Sequence, residues 1–248
     1  MKAQPHRSSK YHETVCCAGI GRDGKWRRQY PVPFRILNDT QKFKRWDWIE
    51  YQCTKPAEDL RAESQKVVPE SLKLAGELRK TERASFLNPL VRETFSDANA
   101  RGESLTILRP LTLELRWSEK SQSELTSERQ KHAELAKQMS FFDSTAKPLE
   151  PSPVRFTIRW RDQEGRIGNH HCDDWETSSA YLRFLRKYGS KRAMEILREK
   201  YEDQYFRSGL VLAFSTHSRR NVTYGTNNQW LLVGLIRLDQ DAQGDLLL

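Results

Sequence analysis

No stretch of this chain approaches the ~20 consecutive apolar residues that a membrane-spanning helix requires. The opening MKAQPHRSSKYHETV also lacks the apolar core of a secretory signal. The expectation is a cytoplasmic protein with no membrane partner. Cysteine is scarce: Cys16, Cys17, Cys53 and Cys172 form no CxxC pair and no disulfide framework. Cys16 and Cys17 stand in an apolar run, where free cysteine packs as a small hydrophobe. There is no G-x-x-x-x-G-K-S/T, no G-x-G-x-x-G and no H-E-x-x-H. Nucleotide and zinc-protease chemistry are therefore unsignalled, and no cofactor is expected. No internal repeat is visible.

Positive charge, by contrast, is plentiful. The chain holds 42 Lys and Arg against 33 Asp and Glu, a net charge of +9 over 248 residues, with a mean hydropathy of -0.81. Such an excess favours polyanionic partners, nucleic acid first, because each neutralised phosphate releases a counterion. The cations are also placed among aromatics. In Lys25–Arg35 and Gln41–Trp48, Lys25, Arg27, Arg28, Arg35, Lys42, Lys44 and Arg45 interleave with Trp26, Tyr30, Phe34, Phe43 and Trp46. Bases stack on aromatic planes while cations hold the backbone, so this mixture suits single-stranded DNA or distorted duplex. Tyr30 joins the cations as a candidate contact. The competing reading turns the rings inward as core and leaves the cations as a solvated face.

The pattern along the chain is α+β: mixed sheets with a small N-terminal sheet or barrel-like region, and helices inserted between strands. Residues 13–54 read as strands, with Asp23-Gly24 as a turn. Pro69 to Arg92 suggests one or two helices, and Ser104–Trp117 a strand with Leu111, Leu113, Leu115 and Trp117 on one face. Ser118–Gln138 is built of helix formers but has only Leu125 and Leu135 as large apolar residues, which predicts a solvent-bridging or marginal helix. Val154–Arg161 alternates as a strand, residues 178–206 carry two helices split at YGSKR, and GLVLAFST and QWLLVGLIRL read as central buried strands. Three segments result: 11–117, basic and β-rich; 118–153, a polar helix and Pro-flanked tether; and 154–240, α+β.

Two local clusters carry polar chemistry. Asn169–Glu176 offers His170, His171 and Cys172 as metal-ligand candidates, and Asp173, Asp174 and Glu176 as catalytic ones. Adjacent His170 and His171 on a strand point to opposite faces, and Asp174 has the position of a helix N-cap. Ala57–Ser64 groups Asp59, Arg61, Glu63 and Ser64, a pattern that fits a capping and salt-bridge cluster.

The tether holds one further motif. Gln138-Met139-Ser140-Phe141-Phe142 resembles the bacterial sliding-clamp-binding pentapeptide: Gln, then Leu or Met, then Ser or Asp, then Leu, then Phe. Phe141 departs from the usual Leu. The resemblance implies that Gln138 makes polar contacts at a groove's edge while Met139, Phe141 and Phe142 fill apolar pockets. The alternative is that these residues staple the protein's own core. At the level of pattern, the order VCCAGI, GKWRRQYPVPFR, WDWIEY, DLRAES, QMSFFD, DWE, WLLVGLIRL resembles a family of bacterial proteins that implies a single architecture and no chemistry. The functional expectation is a nucleoid-associated protein recruited to replicating or repaired DNA by the sliding clamp. The alternatives are a metal-dependent nuclease, or a subunit of a bacterial defence complex.

Overall fold

The computed structural model describes residues 1–8, 12–140, 147–216 and 230–239. In chain order its strands and helices are β1 (His6–Ser8), β2 (His12–Ile20), β3 (Trp26–Val32), β4 (Asp47–Glu50), β5 (Cys53–Thr54), β6 (Ser64–Val67), β7 (Lys73–Glu77), α1 (Lys80–Leu87), β8 (Val91–Arg92) and α2 (Phe95–Ala100). There follow β9 (Leu105–Leu108), β10 (Thr112–Glu119), α3 (Gln122–Ser140), β11 (Val154–Arg161), β12 (Ile167–His171), α4 (Trp175–Arg198), α5 (Phe206–Gly209), β13 (Leu210–Thr216) and β14 (Trp230–Arg237). A π-helical turn, Glu199–Tyr205, joins α4 to α5. This is the expected α+β fold, and its N-terminal strands form an open sheet.

The residues fall into two compact units. The first comprises Met1–Ile20, Trp26–Leu78 and Ser118–Arg155; the second comprises Gly21–Lys25, Arg79–Trp117 and Phe156–Leu248. These units do not follow the consecutive segments read from the sequence, because residues 118–153 fold with the N-terminal strands.

In the first unit a five-stranded sheet runs β1-β2-β3-β6-β5, and β4 pairs with β7 apart from it. Strands β2 and β3 are antiparallel; the turn that joins them, Gly21–Lys25, is grouped with the second unit and uses Gly24 at a φ of 71°, which a glycine adopts without cost. Strand β6 lies parallel to β3. Val15, Cys17, Val32, Val67 and Leu72 are buried. Helix α3 packs against β2 and buries Leu125, Leu135 and Ala136. Its few apolar residues thus form one sufficient stripe, and the helix does not bridge through solvent. Residues 69–92, expected as helix, are mostly otherwise: β7 takes Lys73–Glu77, and only Lys80–Leu87 is α-helical.

In the second unit a four-stranded sheet runs β14-β13-β9-β8. Strand β13 is central and buried from Leu210 to Ser215. Strand β14, also expected to be central, lies at the end of the order. Its outer edge is covered where Cys172 bridges Leu232 and the Asp173 amide donates to the Leu232 carbonyl at 2.8 Å. The stretch Ser104–Trp117 divides into β9 and β10 in different sheets, parted at Arg109-Pro110, since proline has no amide to continue a ladder. On β10 only Leu115 is fully buried, while Trp117, and Leu111 just before the strand, are exposed.

Strand β11 alternates as its sequence foretells, with Val154, Phe156, Ile158 and Trp160 inward. Opposite Trp160 stands Gly168 of β12, where any Cβ would lie 2.5 Å from the indole ring. That space lets Trp160 join Phe95, His170, Phe214 and Trp230 in an aromatic core, in which Phe95 stacks on Trp230 at 5.2 Å.

Candidate functional site

The basic N-terminal residues divide by burial. Arg28 is 4% exposed and its Nη2 lies 3.3 Å from Glu63 Oε1. Burial, followed by the charge of Arg61, lowers its pKa. Arg35 donates from Nη1 to both oxygens of buried Glu13, at 2.9 and 2.7 Å, and from Nη2 to the Lys147 carbonyl. Both arginines therefore serve as internal rivets, and neither presents its guanidinium to a ligand. Arg27, Tyr30 and Arg45 are half-buried. Lys25 is exposed in its turn, while Lys42 and Lys44 are exposed and lie 2.9 Å from Asp39 and 3.4 Å from Glu77. Such exposed pairs are weak and exchange readily for a phosphate.

The aromatics divide too. Phe34 and Phe43 meet edge to face at 5.1 Å, and the Lys2 ammonium stands 4.0 Å from the centre of Phe34. The protein's own cation occupies these rings. Trp46 holds a φ of 78°, a left-handed backbone that bulky residues rarely take.

Around the pentapeptide the chain is better anchored than a free tether. At the start of α3 the Ser121 amide donates to Glu124 Oε2 at 2.9 Å and the Glu124 amide to Ser121 Oγ at 3.2 Å, a reciprocal capping box. Arg155 with Ser121 holds the Glu124 carboxyl down to about 2. Beyond the pentapeptide the chain runs back antiparallel to the helix. Arg129 Nη2 pairs with Glu150 at 2.8 Å, His132 Nδ1 meets the Leu149 carbonyl at 2.8 Å, and the Lys120 amide donates to the Pro153 carbonyl at 2.9 Å. Gln138 and Met139 belong by backbone to the last turn of α3; Phe141 and Phe142 lie outside the described residues.

The acidic and histidine cluster is dispersed by β-alternation. His170 is buried and accepts from Trp160 Nε1 at 3.1 Å, whereas His171 is exposed beside Thr157 Oγ1 at 3.2 Å. Burial pushes the Cys172 thiol up. Burial, with Asp174 adding to it, pushes the Asp173 carboxyl up to about 7. Asp174 is fully buried as the N-cap of α4. It accepts from the Glu176 amide at 3.2 Å and Thr177 Oγ1 at 3.2 Å, and Thr177 in turn meets the Tyr201 hydroxyl at 2.8 Å. Glu176 is half-buried in the first turn. Among the described residues no group of three His, Cys, Asp or Glu could hold a metal ion.

The segment 57–64 is likewise structural. Asp59 pairs with Arg61 and Glu63 with Arg28. Burial alone would raise the Asp59 carboxyl, but hydrogen bonds from Arg61 and Ser64 outweigh it and hold the group at about 2. Sequence reading passed over a different set of cations, Arg183, Arg186, Lys187 and Lys191 on α4, all exposed. The signal lay in the missing opposite charge: no acid stands between Glu176 and Glu195.

Fold and surface together define a basic two-unit α+β protein with its firmest polar networks inside. The chain belongs to the family described as a domain of unknown function (DUF8757), which matches residues 85–246. A second domain of unknown function (DUF8758) matches residues 1–93. No curated protein and no solved structure matches the chain.

Proposed function

We propose that this protein associates with DNA and is carried to replicating or repaired DNA by the bacterial sliding clamp, which Gln138–Phe142 engages. The observation that carries the reading is the anchoring on either side of that peptide. Helix α3 is capped at Ser121–Glu124 and packed through Leu125 and Leu135, and the returning segment is tied to it at Lys120, Arg129 and His132. A peptide held at both ends by a folded body loses less freedom on docking. Seating Gln138 and Met139 in an extended groove requires the last turn of α3 to unwind, a small cost because helix ends fray.

The nucleic-acid contacts in this reading are the exposed Lys25, Lys42 and Lys44 with half-buried Arg27; Arg28 and Arg35 leave the set. The nuclease and defence-complex alternatives have no structural observation of their own in their favour.

A labelled peptide spanning Ala136–Ser144, titrated with purified bacterial sliding clamp and followed by fluorescence anisotropy, tests the recruitment. Binding on the order of micromolar is expected, since a short peptide spends much of its contact energy on ordering. Gln138→Ala should weaken it and Phe142→Ala should weaken it more. If neither the peptide nor the full chain binds the clamp, the recruitment reading is wrong.

A further inference from the structure

Helix α4 breaks at Gly189, whose φ of 77° and ψ of 170° leave the helical region. Around this elbow Arg183, Arg186, Lys187 and Lys191 are exposed, and Tyr188 is 46% exposed. None of the four cations has a carboxylate in ion-pair range among the described residues. All four fall within the nine residues from Arg183 to Lys191. Arg79, Arg101, Arg116, Arg129 and Arg207 each hold an acid, and so does Arg192 at the elbow itself, which reaches Glu195 at 3.1 Å and Glu199 at 2.9 Å.

Helix stability explains part of the cluster. Cations near a helix C-terminus interact favourably with its dipole, which accounts for Arg186 and Lys187 in the turn before Gly189. Lys191 comes just after the break, where the dipole opposes positive charge. Unrelieved repulsion among neighbours of like sign is also a cost within the turn. The cluster therefore has a charge that the fold itself leaves uncompensated.

We infer that the α4 elbow is a binding surface for single-stranded nucleic acid, with Arg183, Arg186, Lys187 and Lys191 on phosphates and Tyr188 stacked on a base. This rests on the nucleic-acid part of the reading above and adds a separate surface on the second unit. Arg183 and Lys187 stand one turn apart on one helix face, a spacing that follows a phosphate backbone. The Lys187 ammonium lies over the Tyr188 ring, 4.9 Å from its centre, and because both side chains are exposed, a base stacking on that face would displace the ammonium towards a phosphate, the combination on which single strands are held. A lipid surface fits less well. Phe184 and Leu185 are half-buried, which leaves Tyr188 without the broad apolar face that interfacial helices insert.

The test uses the full chain and a fluorescein-labelled oligothymidine, with anisotropy measured across a potassium chloride series. Replacing Arg186, Lys187 and Lys191 together by Ala should weaken binding and lower the salt slope by about 2, at ~0.7 per contact for single strands. Tyr188→Ala should weaken binding about fivefold or more and leave the slope unchanged. Lys42→Ala with Lys44→Ala serves as the comparison. If that pair lowers the slope while the elbow variants change nothing, the elbow assignment fails and the general reading stands. If the unaltered chain binds no oligonucleotide, both fail. Binding to anionic phospholipid vesicles in preference to the oligonucleotide would also overturn the assignment. Thermal melting checks that each variant folds, and the single variant Lys191→Glu, which should weaken binding by itself, keeps the test open if the triple variant does not.

Discussion

Arg28 and Lys44 belong to the same basic stretch of chain and end in opposite environments. Which cation turns inward depends on where a carboxylate waits, and Glu63 is 35 residues from Arg28 just as Glu13 is 22 from Arg35. No local pattern carries that distance, so the interleaving of charge and aromatics was legible in the sequence while its division into rivets and surface was not. Removing one partner of a buried pair strands the other, so Arg28→Ala should cost about 3 kcal/mol, measured by urea unfolding. Loss of less than ~1 kcal/mol would place Arg28 back among the surface cations. Asp173 allows a pH test. An unfolded Asp titrates near 4 and the folded one at about 7, so between these values the fold keeps a proton that the unfolded chain has released. Its contribution to stability is present at low pH and is lost as pH rises through 7. The cost above pH 7 is on the order of 4 kcal/mol, about three units at ~1.4 kcal/mol each. Asp173→Asn should therefore gain stability over the unaltered chain at pH 8 and little at pH 4; equal gains at both would refute the burial argument.

Among the elements, those with a strong period were readable. The alternation of β11, the continuous apolar run of β13 and the break of α4 within YGSKR all appear where the pattern put them. Residues 69–92 were not, because Leu72, Leu74 and Leu78 fit a strand's spacing as well as a helix's, and pairing of β7 with β4 decided the matter. Helix α3 shows a different failure. Its sequence lacks a broad apolar face, yet a capping box and a few buried side chains hold it. Ser121→Ala removes the acceptor for the Glu124 amide and should cost about 1 kcal/mol. Calorimetry should find the melting temperature lowered by a few degrees, as such a loss implies for a chain of this size. Binding of the isolated Ala136–Ser144 peptide to the clamp cannot depend on Ser121, so any fall in clamp binding by the full-length variant would measure how far the anchored helix presents the motif.

At the scale of the whole molecule the two family matches, 1–93 and 85–246, divide the chain at a point the compact units do not respect. The first unit is completed only by Ser118–Arg155. A fragment ending at residue 93 would leave bare the part of β2 on which α3 packs, and it should fail to melt cooperatively by circular dichroism and should aggregate on size-exclusion chromatography. A soluble fragment with a sharp transition would show that α3 is dispensable to the sheet. This interleaving also has a consequence in time. A ribosome adds roughly 5–20 residues per second, so β2 leaves the exit tunnel several seconds before the helix that covers it has been made. During that interval the nascent chain carries an uncovered sheet face, and its yield in the cell should respond to the speed of translation across the stretch between Leu78 and Ser118.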